Sequence, residues 1–96
     1  MAERRQVAVA EPFGENLRRN RRRVGLSQEE VAKRAGLHRT AIGLLEHGER
    51  TCRIDTLLRL AGAMVVPPGG LLDGIDWVPG PETEGTFSFA SRSKAA

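Results

Sequence analysis

Glycine stands at positions 25, 36, 48 and 74, and each follows a short stretch in which aliphatic residues recur at helical spacing. A glycine just past an apolar stripe is a common helix stop, because the chain can turn left-handed there without a Cβ penalty. This punctuation predicts several short helices packed on one another rather than a long rod or a sandwich. Composition points the same way: 40% of the 96 residues are hydrophobic but only 4% are aromatic, so aliphatic side chains must form the core. The length allows one compact domain and a tail, which excludes a multidomain enzyme.

Met1 to Glu11 lacks sustained apolar periodicity and reads as a flexible arm, in which Arg4 and Arg5 could touch phosphate. Pro12 is a favoured first-turn residue. After it Phe13, Leu17 and Val24 mark a first helix, with Glu15 early and arginines late as the helix dipole favours. Ser27 and Glu30 have the spacing of a capping box and open a second helix along Val31, Ala32 and Ala35. His38 to His47 gives a third, turned inward at Ile42 and Leu45. Ile54, Leu57, Leu58, Leu60, Ala61 and Met64 are dense enough for a fourth helix against which most others pack. Pro67 and Pro68 then open a brief fifth around Leu71 and Leu72.

The expected fold is therefore all-α: a compact five-helix bundle over residues 12–74, an arm over 1–11 and an extension over 75–96. In that extension Ile75, Trp77 and Val78 are apolar, Pro79-Gly80-Pro81 must turn or extend, and Phe87 and Phe89 alternate about Ser88 at strand spacing. A strand needs a partner in water. It folds back on its own domain, pairs with the same strand of another copy, or stays disordered.

Charge narrows the function. Residues 1–53 hold twelve Lys/Arg against seven Asp/Glu, a net +5, whereas residues 54–96 hold three against five, a net −2. A positive field confined to one half suits a polyanion, either nucleic acid or an anionic membrane surface. Membrane insertion through the first helix is disfavoured because the core needs its apolar face. No apolar run is long enough to span a bilayer, and the N-terminus lacks the apolar run of a signal peptide, so the expectation is a soluble, cytoplasmic protein. The single Cys52 forms no internal disulfide, and two histidines without clustered carboxylates make no metal centre, so no cofactor is expected. No nucleophile has a base beside it and Ser27 is committed to a cap; catalysis is not expected.

A tight glycine turn joins the second and third helices, and the third carries exposed Arg39 and Thr40. That is the requirement of a helix-turn-helix, in which one helix braces across the DNA backbone and the next enters the major groove. The match becomes specific through Leu17-Arg18 with Arg21, Gly25 to Ala32, Ala35-Gly36-Leu37, Ile42 to Gly48, and Asp55 to Leu58 with Leu60-Ala61. Over Phe13 to Asp73 the chain resembles the Xre family, the lambda-repressor-like and Cro-like regulators.

The resemblance implies roles residue by residue. Gln28 stands at the family position that meets a DNA phosphate. Arg39, Thr40, Gly43 and Leu44 occupy positions that face base edges: Arg39 can bind guanine O6 and N7 together, Thr40 can donate, accept or offer a methyl, and Leu44 offers apolar contact only. Gly43 has no side chain, so either the backbone approaches the DNA closely there or the position reads nothing, and the second is favoured. His38 replaces the usual capping Ser or Thr and could reach a phosphate instead, as could His47. Arg22, Arg23, Lys33, Arg34, Arg50 and Arg53 are further phosphate candidates. Arg21 and Glu46 form the family's ion pair between the first and third helices. Cys52 replaces a common loop proline and is read as silent, although a thiol between Arg50 and Arg53 could have a lowered pKa.

One recognition helix reads about 4 or 5 base pairs, too few to select a genomic site, so the implied partner is double-stranded DNA bound by a homodimer. The expected dimer surface is Leu71, Leu72, Ile75, Trp77, Phe87 and Phe89 in the acidic half. A different reading makes the chain an antitoxin-like module whose C-terminal tail binds a partner protein.

Overall fold

The computed structural model describes residues 2–90, with side chains from residue 8 onward. In chain order it consists of α1 (Ala2–Arg23), α2 (Gln28–Ala35), α3 (Arg39–Glu46), α4 (Ile54–Met64), a 3-10 turn (Pro68–Leu72), β1 (Ile75–Pro79) and β2 (Gly85–Phe89). The core runs from Phe13 and Leu17 of α1 through Val31, Ile42 and Leu45 to Leu57, Leu60 and Met64 of α4, closed by Leu71. It is aliphatic apart from Phe13.

Helix starts and stops follow the capping chemistry. The Ser27 hydroxyl accepts from the Glu30 N–H at 3.0 Å, while the Ser27 N–H donates to the Glu30 carboxylate at 2.8 Å. The Ser27 N–H, and after it the Ser27 hydroxyl, hold the Glu30 carboxyl below its usual pKa. Gly25, Gly36, Gly48 and Gly74 all take positive φ, between 73° and 79°. α4 ends differently, on Val65 at φ 55°, a left-handed conformation that a β-branched residue rarely adopts.

The expected arm and the helix start at Pro12 are corrected. α1 begins at Ala2 and carries Pro12 inside it. Proline removes one donor from the helix, but Ala10 on the preceding turn is fully buried and Phe13 just after it nearly so. That burial works against the cost of an interior proline, about 3 kcal/mol from the lost bond and the clash of its ring with the carbonyl four residues back.

The fifth helix is likewise a single 3-10 turn, because Gly69 and Gly70 follow Pro68 and leave no run of helix formers to extend it. Nor is α4 the common support. It packs chiefly on α2 and the 3-10 turn, whereas α1 touches α3, that turn and both strands. Two buried asparagines make α1 the anchor. Asn16 Nδ2 donates to the carbonyls of Leu71 at 3.0 Å and Asp73 at 2.9 Å, and Asn20 Nδ2 donates to the Asn16 carbonyl at 2.8 Å.

Of the fates open to the last strand, folding back is the one observed. β2 pairs antiparallel with β1, with Ile75 opposite Phe89, Trp77 opposite Phe87 and Pro79 opposite Gly85. The Trp77 ring lies over Gly85, where any Cβ would overlap it, and meets the Phe87 ring edge-on at 5.0 Å. Phe87 and Phe89 stack at 6.4 Å. β1 is hard to foresee because it is short, mostly exposed and ends in proline, which only an edge strand tolerates.

Candidate nucleic-acid interface

α3 has a buried side and a bare side. Ile42, Leu45 and Glu46 are buried, Gly43 and Leu44 are half-exposed, and Arg39 and Thr40 stand in solvent on the first turn. Among the described residues no side-chain hydrogen bond is made by Arg39 or Thr40. A Cβ on Gly43 would meet nothing within 4 Å, so no packing demand explains that glycine. His38 precedes the helix without capping it, and both His38 and His47 are exposed.

Beneath this face a charged cluster joins three helices. Arg21 Nε donates to Glu46 Oε2 at 2.5 Å, and Nη2 donates to Oε1 at 3.0 Å. The third Arg21 nitrogen, Nη1, donates to the Leu26 carbonyl at 3.0 Å. Gln28 Nε2 donates to the same Glu46 Oε1, also at 3.0 Å. Arg18 Nε lies 3.6 Å from Oε1, and Arg18 Nη2 donates to the Glu46 backbone carbonyl at 3.3 Å. The Glu46 side chain is only 1% exposed. Burial works to raise its pKa, but the bonds from Arg21 and Gln28 and the charges of Arg21 and Arg18 outweigh it and hold the carboxyl below the usual range. The bond to Glu46 raises the Arg21 pKa in turn, against the opposing effect of burial.

The remaining cations divide by position. Arg22, Lys33 and Arg50 are exposed. Arg53 is exposed too, 3.4 Å from Asp55. Arg23 donates to Asn20 Oδ1 at 2.7 Å and Arg19 donates to Asn16 Oδ1, so these two lean toward the 3-10 turn. Arg18, Arg19, Arg22 and Arg23 flank an open groove with Glu15. Arg34 is exposed as well, and its Nη1 donates to the Ala63 carbonyl at 3.3 Å, at the far end of α4. The side chains of Arg4 and Arg5 lie outside the described residues.

One further expectation changes. Leu71 is 0% exposed, a core residue with no surface to offer a second copy, whereas Leu72, Trp77 and Phe89 are exposed and Ile75 and Phe87 are half-buried. The Cys52 thiol is pushed up in pKa, first by burial and then by the Asp55 charge, which removes the activated-thiol alternative. The neighbouring arginines do not offset burial in the loop wall.

Sequence reasoning missed Asn16, Asn20, Gly14, Ile54 and Leu58. For the asparagines a signal existed, since they recur four apart on the face of α1 that carries Leu17. Ile54 and Leu58 read as core, yet they are 76% and 53% exposed. Ile54 and Leu72 edge an apolar cavity of about 210 Å³ lined also by Val9, Phe13, Cys52 and Leu57.

Known proteins agree with this geometry. The helix-turn-helix domain family matches residues 12–72. The control protein C.SmaI of Serratia marcescens is 45% identical over 56 residues, which are 58% of this chain and 67% of that protein. The control protein C.BamHI of Bacillus amyloliquefaciens is 37% identical over 62 residues, 64% of this chain and 76% of its own. Among solved structures, the restriction-modification controller protein C.AhdI from Aeromonas hydrophila superimposes with a TM-score of 0.66 at 38% identity, over 68% of this chain and 94% of that one. The DNA-binding domain of the P22 c2 repressor gives 0.63 at 29% identity, over 68% of this chain and 86% of the other. No helix among the described residues is long and apolar enough to cross a membrane. The chain belongs to the helix-turn-helix domain family, as a DNA-binding transcription regulator of the Xre, lambda-repressor-like type.

Proposed function

We propose that this regulator binds a two-fold symmetric operator in double-stranded DNA as a homodimer, with α3 of each copy in the major groove. The observation that carries the reading is the bare outer face of α3: Arg39 and Thr40 stand exposed and unpaired, while the opposite side is fixed in the core. Arg39 reads guanine, Thr40 and Leu44 make the adjoining contacts, and Gly43 reads nothing. Gln28, His38, His47, Arg22, Lys33, Arg50 and Arg53 face phosphates and set position rather than sequence. Relatives named control proteins support extending control of gene expression to this chain.

The dimer face favoured by exposure is the start of α4. Ile54 and Leu72 edge the apolar cavity beside Val9 and Cys52, and Leu58, one helical turn after Ile54, is exposed as well. Burying such an edge against its own copy removes its cost in water, and a two-fold interface needs only one self-complementary patch. A second role, contact with a partner protein through the extension, is favoured by half-exposed Trp77 and Phe89 on a hairpin whose residues 73–90 hold four acids and no Lys or Arg.

Selection of bound duplexes from a random pool tests the reading by returning a half-site and its symmetry. Affinity for the selected site must then fall with salt at a log-log slope of about −0.9 per phosphate neutralised. A flat salt response, or no enriched sequence, refutes it. Arg39→Ala is expected to cost about 1 to 3 kcal/mol and relax preference at one base position, while Gln28→Ala weakens all sequences alike.

A further inference from the structure

The Gln28 side chain, expected to meet a DNA phosphate, is already bonded inside the protein. Its Nε2 donates to Glu46 Oε1 at 3.0 Å, and Gln28 itself is only half-exposed. That oxygen belongs to a carboxylate which is itself immobile: Arg21 grips both oxygens, at 2.5 and 3.0 Å, Arg18 stands 3.6 Å away, and the side chain is 1% exposed. Glu46 is the last residue of α3 and Gln28 the first of α2.

We propose that Glu46 is the positioning residue for the phosphate contact of Gln28, holding one amide hydrogen of Gln28 so that the other is fixed in place for a phosphate oxygen of the duplex. The inference rests on the DNA reading above and adds a link between the reading helix and the backbone grip. An amide nitrogen carries two hydrogens, and one bond to Glu46 leaves the second available. A long side chain loses rotamer freedom when it binds, and one already held by a buried partner loses less. Because the carboxylate sits at the end of α3, the phosphate grip is set in register with the helix that carries Arg39. Glu46 touches no DNA in this scheme and acts only through Gln28.

The test is a double-mutant cycle in operator affinity, using wild type, Gln28→Ala, Glu46→Gln and the double variant at a temperature where circular dichroism shows all four folded. Glu46→Gln is expected to weaken binding by about fivefold or more in the wild-type background, the loss of one charge-assisted hydrogen bond, and by under about twofold when Gln28 is already alanine. Equal losses in both backgrounds overturn the proposal, since a purely structural role for Glu46 does not depend on residue 28. If Glu46→Gln fails to fold, the wild type alone decides. By NMR, one Gln28 side-chain amide proton is protected from exchange in the free chain and both are protected on duplex; two unprotected protons in the free chain overturn it. Wild type that binds no duplex removes the DNA reading together with this inference, whereas wild type that binds with additive losses removes this inference only.

Discussion

Gly14 of α1 lies so close to the Leu45 carbonyl at the end of α3 that any Cβ on residue 14 would overlap the oxygen. Two helices meet there backbone to backbone, and the approach sets how far the recognition helix stands from the core. Gly14→Ala is therefore expected to destabilise the chain by about 1 to 3 kcal/mol, since the obstructing atoms are backbone and cannot rotate away. Gly43→Ala has the opposite sign. A Cβ there meets nothing within 4 Å, so the change should stabilise by about 0.5 to 1 kcal/mol through helix propensity. Urea midpoints of both variants check the contrast, and unchanged operator affinity of Gly43→Ala checks that the position reads nothing.

The cluster at Glu46 should govern acid stability. Arg21→Ala leaves a buried carboxylate without its main partner and is expected to cost about 3 to 5 kcal/mol, abolishing DNA binding through unfolding. Because the folded carboxyl lies below its usual pKa, its contribution is complete above the unfolded value of about 4.3 and is lost as pH falls through the lower folded value. Denaturant midpoints measured from neutral pH into acid should show that limb in wild type and a shallower one in Glu46→Gln. An equally steep acid limb in the variant would assign the loss to other carboxylates.

Asn16 ties α1 to the end of the 3-10 turn by two bonds. Asn16→Leu deletes the donor and strands the carbonyl of buried Leu71, with an expected cost of about 1 to 3 kcal/mol. Hydrogen exchange should show the hairpin, which packs on α1, loosening before the remainder. Uniform loosening would mean that the asparagine supports the whole core equally.

Val65 is 85% exposed and holds the left-handed position that ends α4. Val65→Gly relieves that backbone without removing buried surface and should raise stability by about 1 kcal/mol. On a domain of this size, that is a melting point higher by about 4 to 8 °C. A lower melting point would show that the valine side chain has a contact worth more than the strain.

The proposed dimer edge makes the last prediction. Ile54→Glu with Leu58→Glu introduces charge where the structure exposes apolar surface and should give a folded monomer with operator affinity sharply reduced. Removal of the chain after Gly74 should leave the dimer mass-shifted only by the deleted residues. Analytical ultracentrifugation separates the two faces: loss of the dimer on truncation alone would move the interface to the hairpin.

Local chemistry made the helix-turn-helix legible in advance. The capping box at Ser27 and Glu30, the glycine stops, and the inward spacing of Ile42 and Leu45 each depend on residues within one or two turns, and the sequence alone determined them. Tertiary structure decided what local rules cannot weigh. Pro12 looked like a start, but burial of Ala10 and Phe13 carries α1 through it. Leu71 looked available to a partner, and closure of the core took it, while Ile54 and Leu58 share the helical spacing of core residues yet lie outside it. Periodicity shows which side chains share a face. Only the packing of distant segments determines whether another element covers that face or leaves it to water, a second copy or DNA.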